Sequence, residues 1–257
     1  MTKKLVLTIL FLVPFGPHSC LRQEDVGAAP VSAPTSRGMG VKVVVNLDVN
    51  GVNDSPKLVE WGKTAKALIE EWDQRIANLI PTKGFEVPTE VSLKIRKSSR
   101  GIGGTSGGRI TVSSGWIEKH PDDIGLVFHE LVHVIQDYKG SGSGWVTEGI
   151  ADYLRWAIYE GKDQNWFPVS EKPQGYKDSY QVAGGFFLWL ETDACPGIVN
   201  KLNTAIRRGT YKDETFFKEV SGHTIDSLWA DYIKDRKKPE PGQAKTEEPE
   251  TKQDVKN

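Results

Sequence analysis

Two histidines four positions apart, with a glutamate directly after the first, form the most informative pattern in this chain. Residues 129–133 read His-Glu-Leu-Val-His inside an apolar stretch with helical periodicity. On a helix, positions i and i+4 share one face, so His129 and His133 can reach one metal ion while Glu130 lies beside it. Zinc hydrolases use this arrangement: the imidazoles bind the ion, and the carboxylate takes a proton from the water that the ion activates.

A catalytic zinc site needs a third protein ligand and one open position for water. The extended HExxHxxGxxH motif is absent, because Gln136 and Lys139 stand where its glycine and its third histidine belong. We therefore expect an acidic third ligand. Glu148 and Asp152 are spaced i, i+4 on the next predicted helix; we predict that Glu148 binds the metal and that Asp152 accepts the distal N–H of a ligand histidine and fixes its tautomer. His223 is a weaker alternative for the third ligand.

The helix that carries the motif is predicted over residues 121–138. Pro121 suits the first turn of a helix, and Asp122 and Asp123 follow where negative charge complements the positive helix end. The apolar residues of this segment fall on one face, and the two imidazoles are expected on the opposite face. The helix that carries Glu148 and Asp152 is predicted over residues 146–160 after a short Gly/Ser turn.

The rest of the pattern predicts an α+β domain with a small N-terminal mixed sheet and a long helix, followed by the active-site helix and a mostly helical C-terminal half. The glycine-rich segment 101–108 lacks the Gly-Lys-Ser/Thr ending of a phosphate loop, so we interpret it as a mobile hairpin connection. Strands are expected at 41–47, 91–96 and 109–113, a long helix at 56–80, and further helices at 179–194, 197–208, 213–220 and 224–235.

The first residues have the pattern of an export signal. Lys3 and Lys4 precede an apolar run, residues 5–15, that is too short to span a bilayer, so residues 1–20 are predicted to be a secretory signal. Cys20 is placed like the lipid-modified cysteine of bacterial lipoproteins, and simple cleavage nearby is the alternative. We expect an exported protein that is extracellular, periplasmic or anchored to a membrane by a lipid on Cys20.

Composition sets the remaining limits on the chain. Residues 21–40 are expected to be a disordered spacer and residues 237–257 a disordered polar tail, which leaves one domain over residues 41–236. The net charge is −1, so nothing favours nucleic acid as a partner.

Several further segments extend the pattern, and together they resemble the basic secretory protein family of plant and bacterial peptidases, which are zincin-like metallopeptidases. The resemblance implies a zincin-like fold and a secreted peptidase with one Zn²⁺ ion, in which His129 and His133 are ligands and Glu130 is the catalytic base. Despite the family name this chain is not basic, so nothing carries over about acidic partners. The matching segments, in the order of the family, are Gly108–Ser114, His129–Gln136, Glu148–Arg155, Tyr180–Phe187 and Ile225–Tyr232.

The resulting hypothesis is an exported zinc metallopeptidase that acts on peptide or protein substrates. The oxyanion formed during hydrolysis needs a donor besides zinc, and Tyr180 is the first candidate, with Tyr176 and His223 behind it; a packing role for Tyr180 remains open. Substrate is expected to pair as an extra strand with residues 109–113. Two alternatives remain: a zinc amidase that acts on cell-wall peptides, and a zinc-containing, surface-displayed binding protein without turnover.

Overall fold

The computed structural model describes residues 42–140, 142–178 and 180–237. The predicted signal, the spacer, Cys20 and the tail beyond Lys237 lie outside the described residues. Among the helices of the described part, none combines the length and the apolar character that crossing a membrane requires.

A four-stranded mixed sheet forms the N-terminal part of the fold. Its spatial order is β1-β2-β4-β3, with β1 parallel to β2, β2 parallel to β4, and β3 antiparallel to β4. The long helix α1, Pro56–Leu79, makes the crossover that the parallel β1–β2 pair requires. Its first residue is the predicted proline, and it ends just before Pro81. The strands are β1 Val44–Asp48, β2 Glu90–Arg96, β3 Gly103–Ser106 and β4 Arg109–Ser113.

The alternation of side chains in β2 explains how the sheet packs. Val91, Leu93 and Ile95 are fully buried, whereas Lys94 and Arg96 are exposed. The predicted half-buried strand is therefore confirmed, and its buried face packs with α1 into one hydrophobic core.

The glycine-rich segment contains an edge strand, which the sequence did not predict. Strand β3 pairs antiparallel with β4, and Gly107 and Gly108 join them with φ angles of 55° and 75°. Positive φ at both loop residues is the geometry of a two-residue type I′ hairpin, which glycine adopts without steric cost. Because β4 lies between β2 and β3, the expected pairing of substrate with residues 109–113 is wrong, and β3 is the edge strand on this side of the sheet.

The described C-terminal half is mostly helical, as predicted, so the α+β class is confirmed. Helices α4 and α5 each continue into π-helical turns, Tyr153–Tyr159 and Leu190–Ala194. The helices that follow the sheet are α2 Ser114–Lys119, α3 Gly125–Gln136, α4 Gly144–Asp152, α5 Tyr180–Trp189, α6 Ile198–Arg207, α7 Phe216–Ser221 and α8 Ile225–Arg236.

Helix α3 differs from the prediction in its start and in its surroundings. It begins at Gly125 rather than near Pro121, and just before this start Asp123 Oδ1 accepts a hydrogen bond of 3.2 Å from the backbone N–H of Leu126. Every residue of α3 except His133 is buried. The face opposite the apolar stripe, on which the imidazoles were expected, is therefore covered as well.

Helices α4 and α5 approach each other closely at glycines. A Cβ atom added at Gly149 would lie 2.7 Å from the Cβ atom of Ala183 and 2.7 Å from the ring of Phe187. A Cβ atom at Gly184 would lie 3.1 Å from the backbone nitrogen of Tyr153. The absence of side chains at these two positions lets the helices pack almost backbone to backbone, which fixes where α4 places its polar residues.

This packing predicts that alanine substitutions at two glycines of the same helix differ in their effect on the stability of the protein. Gly149→Ala should lower the free energy of unfolding by about 1–3 kcal/mol, because the new methyl group overpacks the contact with α5. Gly144→Ala is the matched control, since nothing lies within 4 Å of a Cβ atom there. Urea unfolding of both variants measures the difference, and equal stability would contradict the proposed close packing.

Candidate metal centre

Three side chains from α3 and α4 converge on one point. The Nε2 atoms of His129 and His133 are 3.0 Å apart. Glu148 Oε2 lies 3.2 Å from Nε2 of His129 and 3.3 Å from Nε2 of His133. Ligand atoms about 2.0 Å from a tetrahedral metal ion are separated by about 3.3 Å, so this triangle has the dimensions of one face of such a site. Within the described residues, these side chains form the one group of three or more that could hold a metal ion.

The outer nitrogens of both imidazoles face hydrogen-bond acceptors. His129 Nδ1 lies 2.7 Å from Asp152 Oδ1, and His133 Nδ1 lies 2.7 Å from Gln136 Oε1. A second hydrogen bond fixes the orientation of the Gln136 amide, because its Nε2 donates to the carbonyl oxygen of Thr147 at 3.0 Å. Both Nδ1 atoms are therefore the N–H donors, and in the neutral rings both Nε2 lone pairs point into the triangle.

The electrostatics of the triangle favour a positive charge at its centre. Burial lowers the pKa of His129, but hydrogen bonds with Asp152 and Glu148 outweigh it and raise this pKa to about 9. Burial raises the pKa of Glu148, but its hydrogen bonds with His129 and His133 lower it to about 2. Either a proton or a metal ion at the centre of the triangle can supply this positive charge. The three convergent acceptor atoms suit the metal ion.

Glu130 stands beside the three side chains and is held by the edge strand. Its side chain is buried, and its Oε2 accepts a hydrogen bond of 2.8 Å from the hydroxyl of Thr105 on β3. A Cβ atom at Gly103 would lie 3.5 Å from the other carboxylate oxygen, Oε1. The glycine thus leaves room beside Oε1, while Thr105 fixes the rotamer of the carboxylate.

Two cavities meet at this group and form a continuous cleft. They have volumes of about 540 and 520 Å³ and share Gly103, His129, Glu130 and Tyr180 in their linings. The first is lined by the glycine-rich β3–β4 hairpin, and the second presents mainly apolar surface, with several charged side chains in its lining. The cleft therefore extends to both sides of the candidate metal position.

Tyr180 stands at the junction of the two cavities. Its ring centre lies 6.2 Å from that of His129, and the residue is 52% exposed. Its φ angle of 31° lies in the left-handed region, which a tyrosine rarely adopts and which is enriched at functional sites. The negative charge of Glu148 raises the pKa of the phenol, so its hydroxyl keeps its proton and can donate it in a hydrogen bond.

The structure separates the remaining sequence candidates from the site. His223 does not contribute to the group of convergent ligand atoms among the described residues. Tyr176 is buried, and its hydroxyl donates to Asp226 Oδ1 at 2.9 Å. Asp152, by contrast, lies beside His129 as expected.

Two residues of the site were missed from the sequence. Gln136 has the i, i+3 spacing from His133 that places both side chains on one helix face, so the pattern contained a usable signal. Thr105 is separated from Glu130 by a long stretch of chain, and no local pattern connects them.

A family model described as "Peptidase of plants and bacteria" matches residues 43–232, which is most of the chain. The match includes both cavities and all of the side chains described above. No curated protein and no solved structure was found to match the chain.

The geometry predicts binding of one divalent metal ion per chain. His133→Ala and Glu148→Ala should each abolish tight binding, because each removes a corner of the triangle. Asp152→Asn should weaken the affinity about 10–100-fold, because it removes the charge behind the His129 ring but preserves its shape. Titration calorimetry with zinc chloride measures these effects.

His223→Ala is the matched control and should bind zinc like the wild type, since that imidazole does not contribute to the group. Tight binding by the His133 and Glu148 variants, or its loss in the control, would show that the metal binds elsewhere.

Proposed function

This chain belongs to the family of peptidases of plants and bacteria, and from that premise we propose that it is an exported, zinc-dependent metallopeptidase. One observation supports the assignment as a metallopeptidase. Two Nε2 atoms and one carboxylate oxygen form the triangle, and Glu130 lies next to the triangle without belonging to it. Two imidazoles and one carboxylate form a catalytic ligand set, because three protein ligands leave a position open for water. A zincin-like arrangement of the site is part of this proposal, and the same geometry supports it.

His129, His133 and Glu148 would hold the zinc ion, with Asp152 and Gln136 fixing the two rings. A bound zinc ion supplies Lewis-acid chemistry, because it lowers the pKa of a water molecule and polarises a carbonyl group. The protein contributes the orientation of the ligands. Each imidazole is held by one outer hydrogen bond of 2.7 Å, which keeps its Nε2 lone pair aimed at the same point.

Glu130 would act as general base and then as general acid. Its carboxylate takes the proton of the attacking water and returns it to the leaving amine. The hydrogen bond from Thr105 occupies Oε2, so Oε1 is the oxygen that remains for this proton, and it faces the space that Gly103 leaves open. The base is thus positioned by the strand against which the substrate would lie.

The substrate would pair with β3, which replaces the strand expected from the sequence. Ser113 N donates to the carbonyl of Ile102 at 2.8 Å, so in an antiparallel ladder Gly104 and Ser106 make the next bonds to β4. The backbone groups of Gly103 and Thr105 then point away from β4. An extended peptide can bind there through its main chain, without recognition of its sequence.

The two alternatives differ in the use that they make of the same residues. A zinc amidase acting on cell-wall peptides would need the same metal and base, and only the substrate would differ. A binding protein without turnover has no use for a buried carboxylate beside the metal, whereas a peptidase requires one. Export, and a lipid tether on Cys20, are proposed from the sequence of the first twenty residues.

Replacement of the base separates catalysis from metal binding. Glu130→Gln should reduce kcat/KM for peptide cleavage by at least about 10²–10⁴-fold, because an amide cannot accept the proton. Zinc affinity should stay the same, since Glu130 is not a ligand. Glu118→Gln, an exposed carboxylate on α2, is the control. Mass spectrometry of a diverse peptide library measures cleavage, and undiminished turnover by Glu130→Gln would exclude this mechanism.

Tyr180→Phe tests the donor to the oxyanion. Loss of the hydroxyl should lower kcat by about 10–10³-fold with little change in KM, because the hydrogen bond would form in the transition state. The substituted ring retains the packing of tyrosine. Steady-state kinetics on one cleaved peptide decides the question, since an unchanged kcat would assign Tyr180 a packing role only.

A further inference from the structure

The cavity of about 520 Å³ on one side of Glu130 has the character of a pocket for a side chain. It opens at Gly103, the first residue of the edge strand, and extends towards the start of α3 and the π-helical extension of α4. We call it the apolar pocket. Its apolar lining consists of Ile102, Trp116, Leu126, Trp156, Pro168 and Val182.

Among the described residues, Arg155 is the one lysine or arginine that lines the apolar pocket, and its charge is already compensated. Its side chain is only 11% exposed and forms ion pairs with Asp123 and Glu160. Its guanidinium carbon lies 4.0 Å from the ring centre of Trp156. A substrate carboxylate would have to displace one of these partners, so Arg155 does not select acidic residues.

The same ion pair orients the aromatic walls of the pocket. Asp123 Oδ2 accepts a hydrogen bond of 2.9 Å from the indole N–H of Trp116. Arg155 contacts Asp123 on one side and the face of Trp156 on the other. The charged groups thus hold two tryptophans against the pocket, and Asp152 and Asp178 add negative charge to its lining. Large apolar side chains suit this environment, and acidic ones are disfavoured.

The direction of the substrate follows from strand pairing. Antiparallel pairing is the more stable arrangement, and a peptide antiparallel to β3 runs from the Ser106 end towards the Gly103 end. The apolar pocket lies at the Gly103 end, whereas the other cavity, of about 540 Å³, lies along the rest of the glycine-rich hairpin. The residue that follows the scissile bond therefore meets the apolar pocket.

We propose that the apolar pocket binds a large aliphatic or aromatic side chain of the residue directly after the scissile bond, so that the substrates are peptides with such a residue on the leaving-amine side. This inference rests on the proposed peptidase function and names its specificity. The cavity of about 540 Å³ is lined by four glycines of the β3–β4 hairpin and by mainly polar side chains, so the selection for a large apolar residue acts on one side of the bond.

The test uses the zinc-loaded full-length protein and one peptide scaffold that varies only at the residue after the cleaved bond. With leucine or phenylalanine there, kcat/KM should exceed that of the alanine peptide about 100-fold, and aspartate should be cleaved more slowly than alanine. Val182→Phe fills the pocket and should reduce the advantage of the large residues over alanine at least about tenfold.

A second variant guards against misfolding of the first. Ile102 is 47% exposed, so Ile102→Ala should fold normally and weaken the preference about tenfold by removing one wall. Val44→Phe, on an exposed position of β1, is the control and should leave the preference unchanged.

The outcomes distinguish a failure of the pocket assignment from a failure of the proposed peptidase function. Cleavage with no preference, with a preference for acidic residues, or with a preference only before the scissile bond would overturn the pocket assignment and leave the peptidase function standing. Absence of cleavage of every peptide by the wild type would overturn the function, and the pocket proposal with it.

Discussion

The site depends on three electron-pair donors that converge on one point. When both imidazoles are neutral and donate through Nδ1, two lone pairs and one carboxylate oxygen face each other at 3.0–3.3 Å. Glu130 and Asp152 add two more carboxylates in a largely buried region. Such a concentration of negative charge is costly unless a cation lies within it. A divalent ion balances most of this charge, so the polar part of the fold is organised around the position that it would occupy.

The surrounding elements hold that position by few but specific contacts. The guanidinium of Arg207 donates to the carbonyl oxygens of Ile135 and Gln136 and so satisfies the end of α3 that carries His133. Gly149 lets α4 approach α5 closely. This close contact sets the position of Glu148 and Asp152 relative to α3. Because α3 is buried almost completely, it has no freedom to rotate away from the triangle.

The sequence predicted those features that depend on regular spacing. Helical periodicity gave the long helix and the helical C-terminal half, and i, i+4 spacing placed two pairs of site residues on their helices. It failed where contacts distant in the chain decide the structure. Strand β3 consists of residues with little intrinsic strand propensity and exists because β4 pairs with it. Helix α3 starts at Gly125, next to the contact between Asp123 Oδ1 and the backbone N–H of Leu126, and Arg155 holds that carboxylate from another element.

The elements that hold the candidate metal ligands also form the apolar pocket. Helix α3 contributes His129 to the triangle and Leu126, one turn earlier, to the pocket. Helix α4 contributes Glu148 to the triangle, and its π-helical extension contributes Arg155 to the pocket. The ion pair between Arg155 and Asp123 joins the two helical segments. A side chain bound in the pocket would therefore press on the elements that hold the triangle. Side chains on packed helices keep their relative positions better than side chains on loops. For this reason the position of the pocket is fixed relative to the bond that would be cleaved, so the proposed pocket would select a substrate at the place where the substrate is aligned for cleavage.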